Sequence, residues 1–329
     1  MSPTRLWRAS ALLIALEVCS CATGQSSSTA PAPEEPVSRP IATPEVSRGE
    51  QLLVEGRVSE AKQAFERAIA DDANDARAWL DLGLTREAMS DYAAAEEAYR
   101  EATRVDARFA EAFNNLGVLL RERGDLPGAI GVLERAVALD PRLVAARFNL
   151  GLAYEDEGRF DDAERAYLIA IEQLPADPVP RVNLAMMYLD ADRIDEALSQ
   201  LRAARDLARG DVLLSIAIGE GLRRAGSPTE AVAVLEAALE QSGDPPATGL
   251  LAELALAHYA EGDVDAAERT MRRAVAQDEI DPALQYAYGS ILAKQGALSK
   301  ARSHLRRAIS LDPGGPYAAA ARKRLDSLK

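Results

Sequence analysis

Cysteine is nearly absent. The 329-residue chain carries two, Cys19 and Cys21, both close to its start. The body after them therefore has no disulfide framework and no thiolate metal site. Histidine is equally scarce, with only His258 and His304. No HExxH, GxxxxGKS, GxxxxGKT or GxSxG run occurs, so zinc-protease, phosphate-loop and serine-hydrolase chemistry lack their residues. No catalytic residue, metal ligand set or cofactor motif is expected. Basic residues are outnumbered 38 to 52, for a formal charge of -14. Binding a phosphate backbone takes a concentrated basic surface, so nucleic acid is not an expected partner. No run of eighteen apolar residues occurs, and none of the chain is expected to span a bilayer as a helix. Aromatics reach only 5% against 48% apolar residues. That imbalance, with alanine, leucine, glutamate and arginine dominant, is the profile of helices packed through small contacts.

The first residues, MSPTRLWRASALLIALEVCSC, place Arg5 and Arg8 before a short apolar run and then small residues. This is the layout of a secretory signal. Val18-Cys19-Ser20-Cys21 resembles the bacterial lipoprotein box, an aliphatic residue three places before the modified cysteine and a small one just before it. The resemblance implies a signal peptide over 1–20, cleavage before Cys21 and lipid on that residue. Several acyl chains at about 0.8 kcal/mol per buried CH₂ would anchor the chain stably. Ala22 is not the aspartate that retains such proteins at the inner membrane, which implies the periplasmic face of the outer membrane. Glu17 departs from the pattern, and cleavage after Ala22 to give a soluble periplasmic protein is the alternative. Residues 21–41, rich in Ser, Thr, Pro and Ala, read as a disordered tether.

From residue 42 the sequence repeats every 34 residues. The unit 110–143 shows the pattern most fully, with Phe113, Leu116, Gly117, Leu120, Gly124, Ala129, Leu133, Ala136 and Pro141 at positions 4, 7, 8, 11, 15, 20, 24, 27 and 32. The same frame runs through 42–75, 76–109, 144–177, 178–211 and 212–245. After a two-residue insertion, Pro246-Ala247, it resumes in 248–281 and 282–315. This period and these positions resemble the tetratricopeptide-repeat (TPR) family. The resemblance implies an all-α solenoid, a right-handed superhelix of about eight helix-turn-helix repeats, closed by a capping helix at 316–329. Small residues at 8 and 20 let two helices approach, and larger ones at 4, 7, 11 and 24 fill around them. Glycine at 15 suits a left-handed helix end. Asp192 at position 15 and Arg209 at position 32 break the pattern in the fifth unit. Altered curvature is expected there and at the insertion.

Position 11 puts His258 in packing, and position 23 puts His304 on the surface. Position 6 holds Asn115, Asn149 and Asn183 in three successive units. This resembles the asparagine ladder of the TPR superhelix in O-linked N-acetylglucosamine transferases, which grips an extended peptide by its backbone. A carboxamide accepts from a peptide N–H and donates to a C=O, although asparagine there also suits a bond to the neighbouring helix. Phe148, Leu152, Val182 and Met186, with Val118 and Leu189, are expected to form an apolar strip beside the ladder on the concave face. Arg121, Arg223 and Arg224 offer charge at its flanks. The expected function is a non-enzymatic, lipid-anchored scaffold of the cell envelope that binds a partner protein or extended peptide. Outer-membrane lipoproteins of this architecture assist pilus secretins and gliding-motility complexes. A soluble periplasmic adaptor regulating an envelope enzyme is the alternative, and self-association is a third use of the same surfaces.

Overall fold

The computed structural model describes residues 40–208 and 210–328. Cys21, the signal peptide and the tether up to residue 39 lie outside the described residues. The described chain is all-α, with 17 helices and no strand among those residues. Four hairpins come first: α1 (Pro44–Val54) with α2 (Val58–Asp71), α3 (Ala76–Ala88) with α4 (Tyr92–Val105), α5 (Ala110–Glu122) with α6 (Leu126–Leu139), and α7 (Val144–Glu157) with α8 (Phe160–Gln173). Four more follow: α9 (Val179–Asp190) with α10 (Ile194–Leu207), α11 (Val212–Arg224) with α12 (Pro228–Gln241), α13 (Thr248–Glu261) with α14 (Val264–Gln277), and α15 (Pro282–Gln295) with α16 (Leu298–Leu311). Helix α17 (Pro316–Asp326) ends the described chain.

Local chemistry sets these boundaries. Asp75, Asp91, Asp125, Asp211, Asp263 and Asp281 each precede a helix and accept from its first free N–H groups. Such a cap contributes on the order of 1 kcal/mol. Between the helices of a hairpin the chain passes through the left-handed region, as at Gly158 with φ 84°. Asp192 takes the same conformation, with φ 59°. Arg193 N still donates to Tyr188 O at 2.8 Å, the same closing bond as Arg159 N to Tyr154 O. The turn at Asp192 thus keeps the hydrogen bonding of its glycine counterpart, and the cost falls on the backbone of that residue. Around the insertion, residues 242–247 form the connection between α12 and α13.

The chain divides into two compact units, and the first comprises α1 to α8. Its core is built at the positions that the repeat marks out. Ala61, Ala95, Ala129 and Ala163 at position 20 are all fully buried, as are Phe65, Tyr99, Leu133 and Tyr167 at position 24. A Cβ on Gly151 would stand 2.7 Å from the Tyr167 ring, so a bare backbone is what lets α7 lie against α8. The second unit, from Ala176, comprises α9 to α17. Ala197, Ala231, Ala267 and Ala301 repeat the buried alanine, and Leu201, Leu235, Met271 and Leu305 fill position 24. Helix α17 packs Ala321 onto Leu305 and Ala308.

Candidate functional site

In the first unit, the first helices of the third and fourth hairpins, α5 and α7, touch each other. Asn115 and Asn149 are partly exposed on them and are linked through a third asparagine. Asn114 Nδ2 donates to Asn115 Oδ1 at 3.0 Å, and Asn149 Nδ2 donates to Asn114 Oδ1 at 2.9 Å. Asn114 itself is 7% exposed. Part of each ladder carboxamide is therefore spent inside the protein, while the Asn115 amide nitrogen and the Asn149 carbonyl oxygen have no partner among the described residues. Asn114 was not singled out in the sequence, where its one signal is the doublet Asn114-Asn115.

The apolar strip divides. Leu152 and Val118 are partly exposed. Phe148 is not available to a ligand, because it is 8% exposed and its ring lies 5.9 Å from that of Tyr167. Arg121 also departs from expectation. Its side chain is 9% exposed and faces Asp156 Oδ2 at 3.5 Å. It is an internal counter-ion in an acidic neighbourhood rather than a free flanking charge. Burial raises the carboxyl of Glu122 above its ordinary range while Arg121 opposes the shift. Burial also raises Glu87, the Tyr99 hydroxyl that donates to it at 2.5 Å lowers it, and Glu122 raises it further. Tyr167 donates to Glu155 at 2.8 Å, and its phenol lies well above the usual range, first through burial and then through Glu155.

In the second unit, Asn183 Nδ2 turns back onto its own helix and donates to Val179 O at 2.9 Å. Its oxygen has no partner among the described residues. Val182 is 5% exposed and Leu189 9%, so both belong to the core, contrary to expectation. Met186 stays partly exposed, with Arg224 Nη1 3.9 Å from its sulfur. Arg223 and Arg224 are engaged too: Arg223 Nε donates to Glu253 at 2.5 Å and Arg224 Nη2 to Asp190 at 2.5 Å. The strip fails where it does because positions 5 and 12 point partly into the helix interface, which a list of positions does not reveal.

His258 is buried, in keeping with packing. His304, expected on the surface, is half-buried: its ring lies 4.5 Å from Tyr288 and its Nδ1 2.7 Å from Gln285 Oε1. Among the described residues no three His, Cys, Asp or Glu gather as a metal ion would need. No described helix is long and apolar enough to cross a membrane.

Helical hairpins stacked at a fixed 34-residue spacing define a helical-repeat protein. The tetratricopeptide repeat profile matches residues 47–88, 80–144, 129–178, 182–246 and 252–316, and a second tetratricopeptide repeat profile matches 222–278; the chain belongs to the tetratricopeptide repeat family. Proteins of this fold generally act as scaffolds for protein interaction. No curated protein matches the chain. Among solved structures, the chain is similar to one in the APC/C hetero-tetramer Cut9-Hcn1, at 17% identity and TM-score 0.58, over 85% of this chain and 55% of that one. It thus spans about half the length of that relative. A tetratricopeptide repeat protein from Parabacteroides merdae aligns at 15% identity and TM-score 0.57, over 75% of this chain and 97% of its own. MamA from Desulfovibrio magneticus RS-1 aligns at 21% identity and TM-score 0.47, over 51% of this chain and 94% of its own.

Proposed function

We propose that the chain is a non-enzymatic scaffold of the bacterial cell envelope, tethered by lipid on Cys21 to the periplasmic face of the outer membrane, and that its first-helix faces hold an extended segment of a partner protein. One observation carries the binding half of this reading. At position 6 the carboxamides keep hydrogen-bonding capacity that no described residue consumes: the nitrogen of Asn115, and the oxygens of Asn149 and Asn183. Partly exposed apolar side chains, Leu152 and Met186, accompany them in their respective units. Backbone bonds of roughly 0.5 to 1.5 kcal/mol each give modest, sequence-tolerant affinity, to which burial of apolar side chains adds.

The test compares the full chain with a variant carrying Asn115→Ala, Asn149→Ala and Asn183→Ala. Capture of a defined envelope protein by the wild type, lost in a variant that melts as a folded protein, supports the reading. Unchanged capture ends it. The anchoring half rests on the residues around Cys21 and has its own measurement, the mass of the mature N-terminus with and without globomycin. A terminus at Thr23 without lipid would favour the soluble adaptor. Assistance to a pilus secretin or a motility complex is the class of role that this architecture and location suit.

A further inference from the structure

Charge is unevenly placed along this chain. Residues 282–329 hold nine of the 38 basic residues and two of the 52 acidic ones, a formal +7, which leaves -21 for the other 281 residues. Each of the seven earlier repeat units is net acidic. The eighth hairpin and α17, both in the second unit, are thus the basic part of the array.

The fold gathers these cations and leaves them unpaired. Helix α16 turns Ala301, Leu305 and Ala308 inward, while Lys300, Arg306 and Arg307 stand exposed on its other sides. By helical geometry Lys300 and Arg307 share one flank, about 10 Å apart along the axis, and Arg302 and Arg306 share the other. Helix α17 packs on α16 through Ala321, and Arg302 Nη2 donates to Leu328 O at 2.5 Å, which ties the start of α16 to the far end of α17. Arg322 and Lys323 are exposed on the side of α17 away from Ala318 and Ala321. Lys329 lies outside the described residues, and none of the other eight cations of this stretch forms an ion pair with a described residue. In the first unit, by contrast, acids meet exposed arginines, as Glu96 meets Arg100 and Asp162 meets Arg159, each at 2.7 Å.

We propose that the α16–α17 end of the second unit is a docking surface for an anionic phospholipid bilayer. The inference rests on the envelope reading above, which supplies the bilayer, and adds the part of the array that meets it. A bilayer presents many phosphates in a plane, and a Lys or Arg within a Debye length, about 8 Å at physiological salt, is drawn to them. Cations spread over the outward sides of two helices suit that field. The acidic repeats are repelled by it, which leaves this end to approach. An acidic protein segment suits the surface less, because the scaffold reading puts the bound segment on first helices and α16 is a second helix. Nucleic acid matches the charge, but the secretory signal read at 1–20 directs the chain away from it.

The experiment takes the full chain carrying Cys21→Ser, so that no attached lipid contributes. Its flotation is measured with vesicles of phosphatidylglycerol and phosphatidylcholine in equal parts, and with vesicles of phosphatidylcholine alone. Binding to the mixed vesicles is expected to be about 100-fold tighter and to weaken as salt rises. Arg306→Gln, Arg307→Gln, Arg322→Gln and Lys323→Gln together are expected to cut it at least about tenfold. Arg100→Gln with Arg104→Gln is expected to leave it unchanged, and comparison among these chains cancels whatever residues 1–20 add. Equal binding by the fourfold variant, or equal binding to both kinds of vesicle, overturns the surface. Capture of poly-glutamate or duplex DNA without affinity for the mixed vesicles overturns it too, and gives the cations to an acidic segment or to nucleic acid. A mature N-terminus without lipid, with the vesicle result intact, ends the anchor and keeps the surface; lipid on Cys21 with no difference between vesicles does the reverse.

Discussion

Glu220, on α11, makes a prediction about stability. Its ordinary value of 4.5 is raised to about 7 in the folded chain, so the folded state holds the proton more tightly than the unfolded one. Stability is therefore greatest below pH 4.5 on this account and falls as pH rises towards 7. Glu220→Gln should melt higher than the wild type at pH 8, by an amount worth at most about 3 kcal/mol, and the gap should close near pH 4.5. Equal melting at pH 8 would contradict a partly buried carboxylate that has no ion pair among the described residues. Asn114 makes the converse case. Its side chain bridges Asn115 and Asn149, and Asn114→Ala leaves the Asn149 amide without its acceptor. The loss should be about 1–3 kcal/mol in urea unfolding. At Asp192, with φ 59°, glycine removes the Cβ penalty of the left-handed region. Asp192→Gly should stabilise by about 1 kcal/mol, read in the same unfolding experiment.

At the scale of the helix, the hairpin joint depends on having no bulk at position 8 and only a methyl at position 20. Gly219→Ala would put a Cβ 2.6 Å from Leu235. Overpacking of this kind costs about 1–3 kcal/mol, and the variant should lose that much in thermal unfolding monitored by helical circular dichroism. Such joints are legible in a sequence, because the 34-residue spacing restates the same requirement in every unit. The site was legible only in part. Position 6 was found because asparagine recurs there in three successive units, but the bonds within the protein to Asn114 and Val179 O depend on side-chain directions that spacing does not carry. Phe148 and Val182 sit at the edge of the interface, where a small rotation of the helix decides between strip and core. Arg121 looked free because its partner, Asp156, lies in the next repeat. Glu220 gave no signal of its own: its neighbours Asp190 and Glu253 occur 30 and 33 residues away and had to be placed on adjoining helices first.

For the whole molecule, packing between neighbouring hairpins is the main source of stability, and no hairpin closes its own core. Damage should therefore stay local. Tyr99→Ala, which empties a fully buried site in the first unit, should raise amide exchange in α3 to α6 and leave α13 to α16 at wild-type rates. Uniform acceleration in every helix would argue for one cooperative block. The reading of Cys21 also belongs at this scale: Cys21→Ser should move the protein from the membrane to the soluble fraction, and retention on the membrane would dismiss the lipid.

The enclosed alanine of every hairpin bears on how such a chain changes length. A methyl has no rotamers to readjust, and its surroundings recur from Ala61 to Ala301. A gene that gains or loses one 34-residue block by unequal crossing-over would rejoin at a seam that already fits. Growth and shrinkage of the array then leave the surviving joints unchanged, and selection acts mainly on the side chains that face outward.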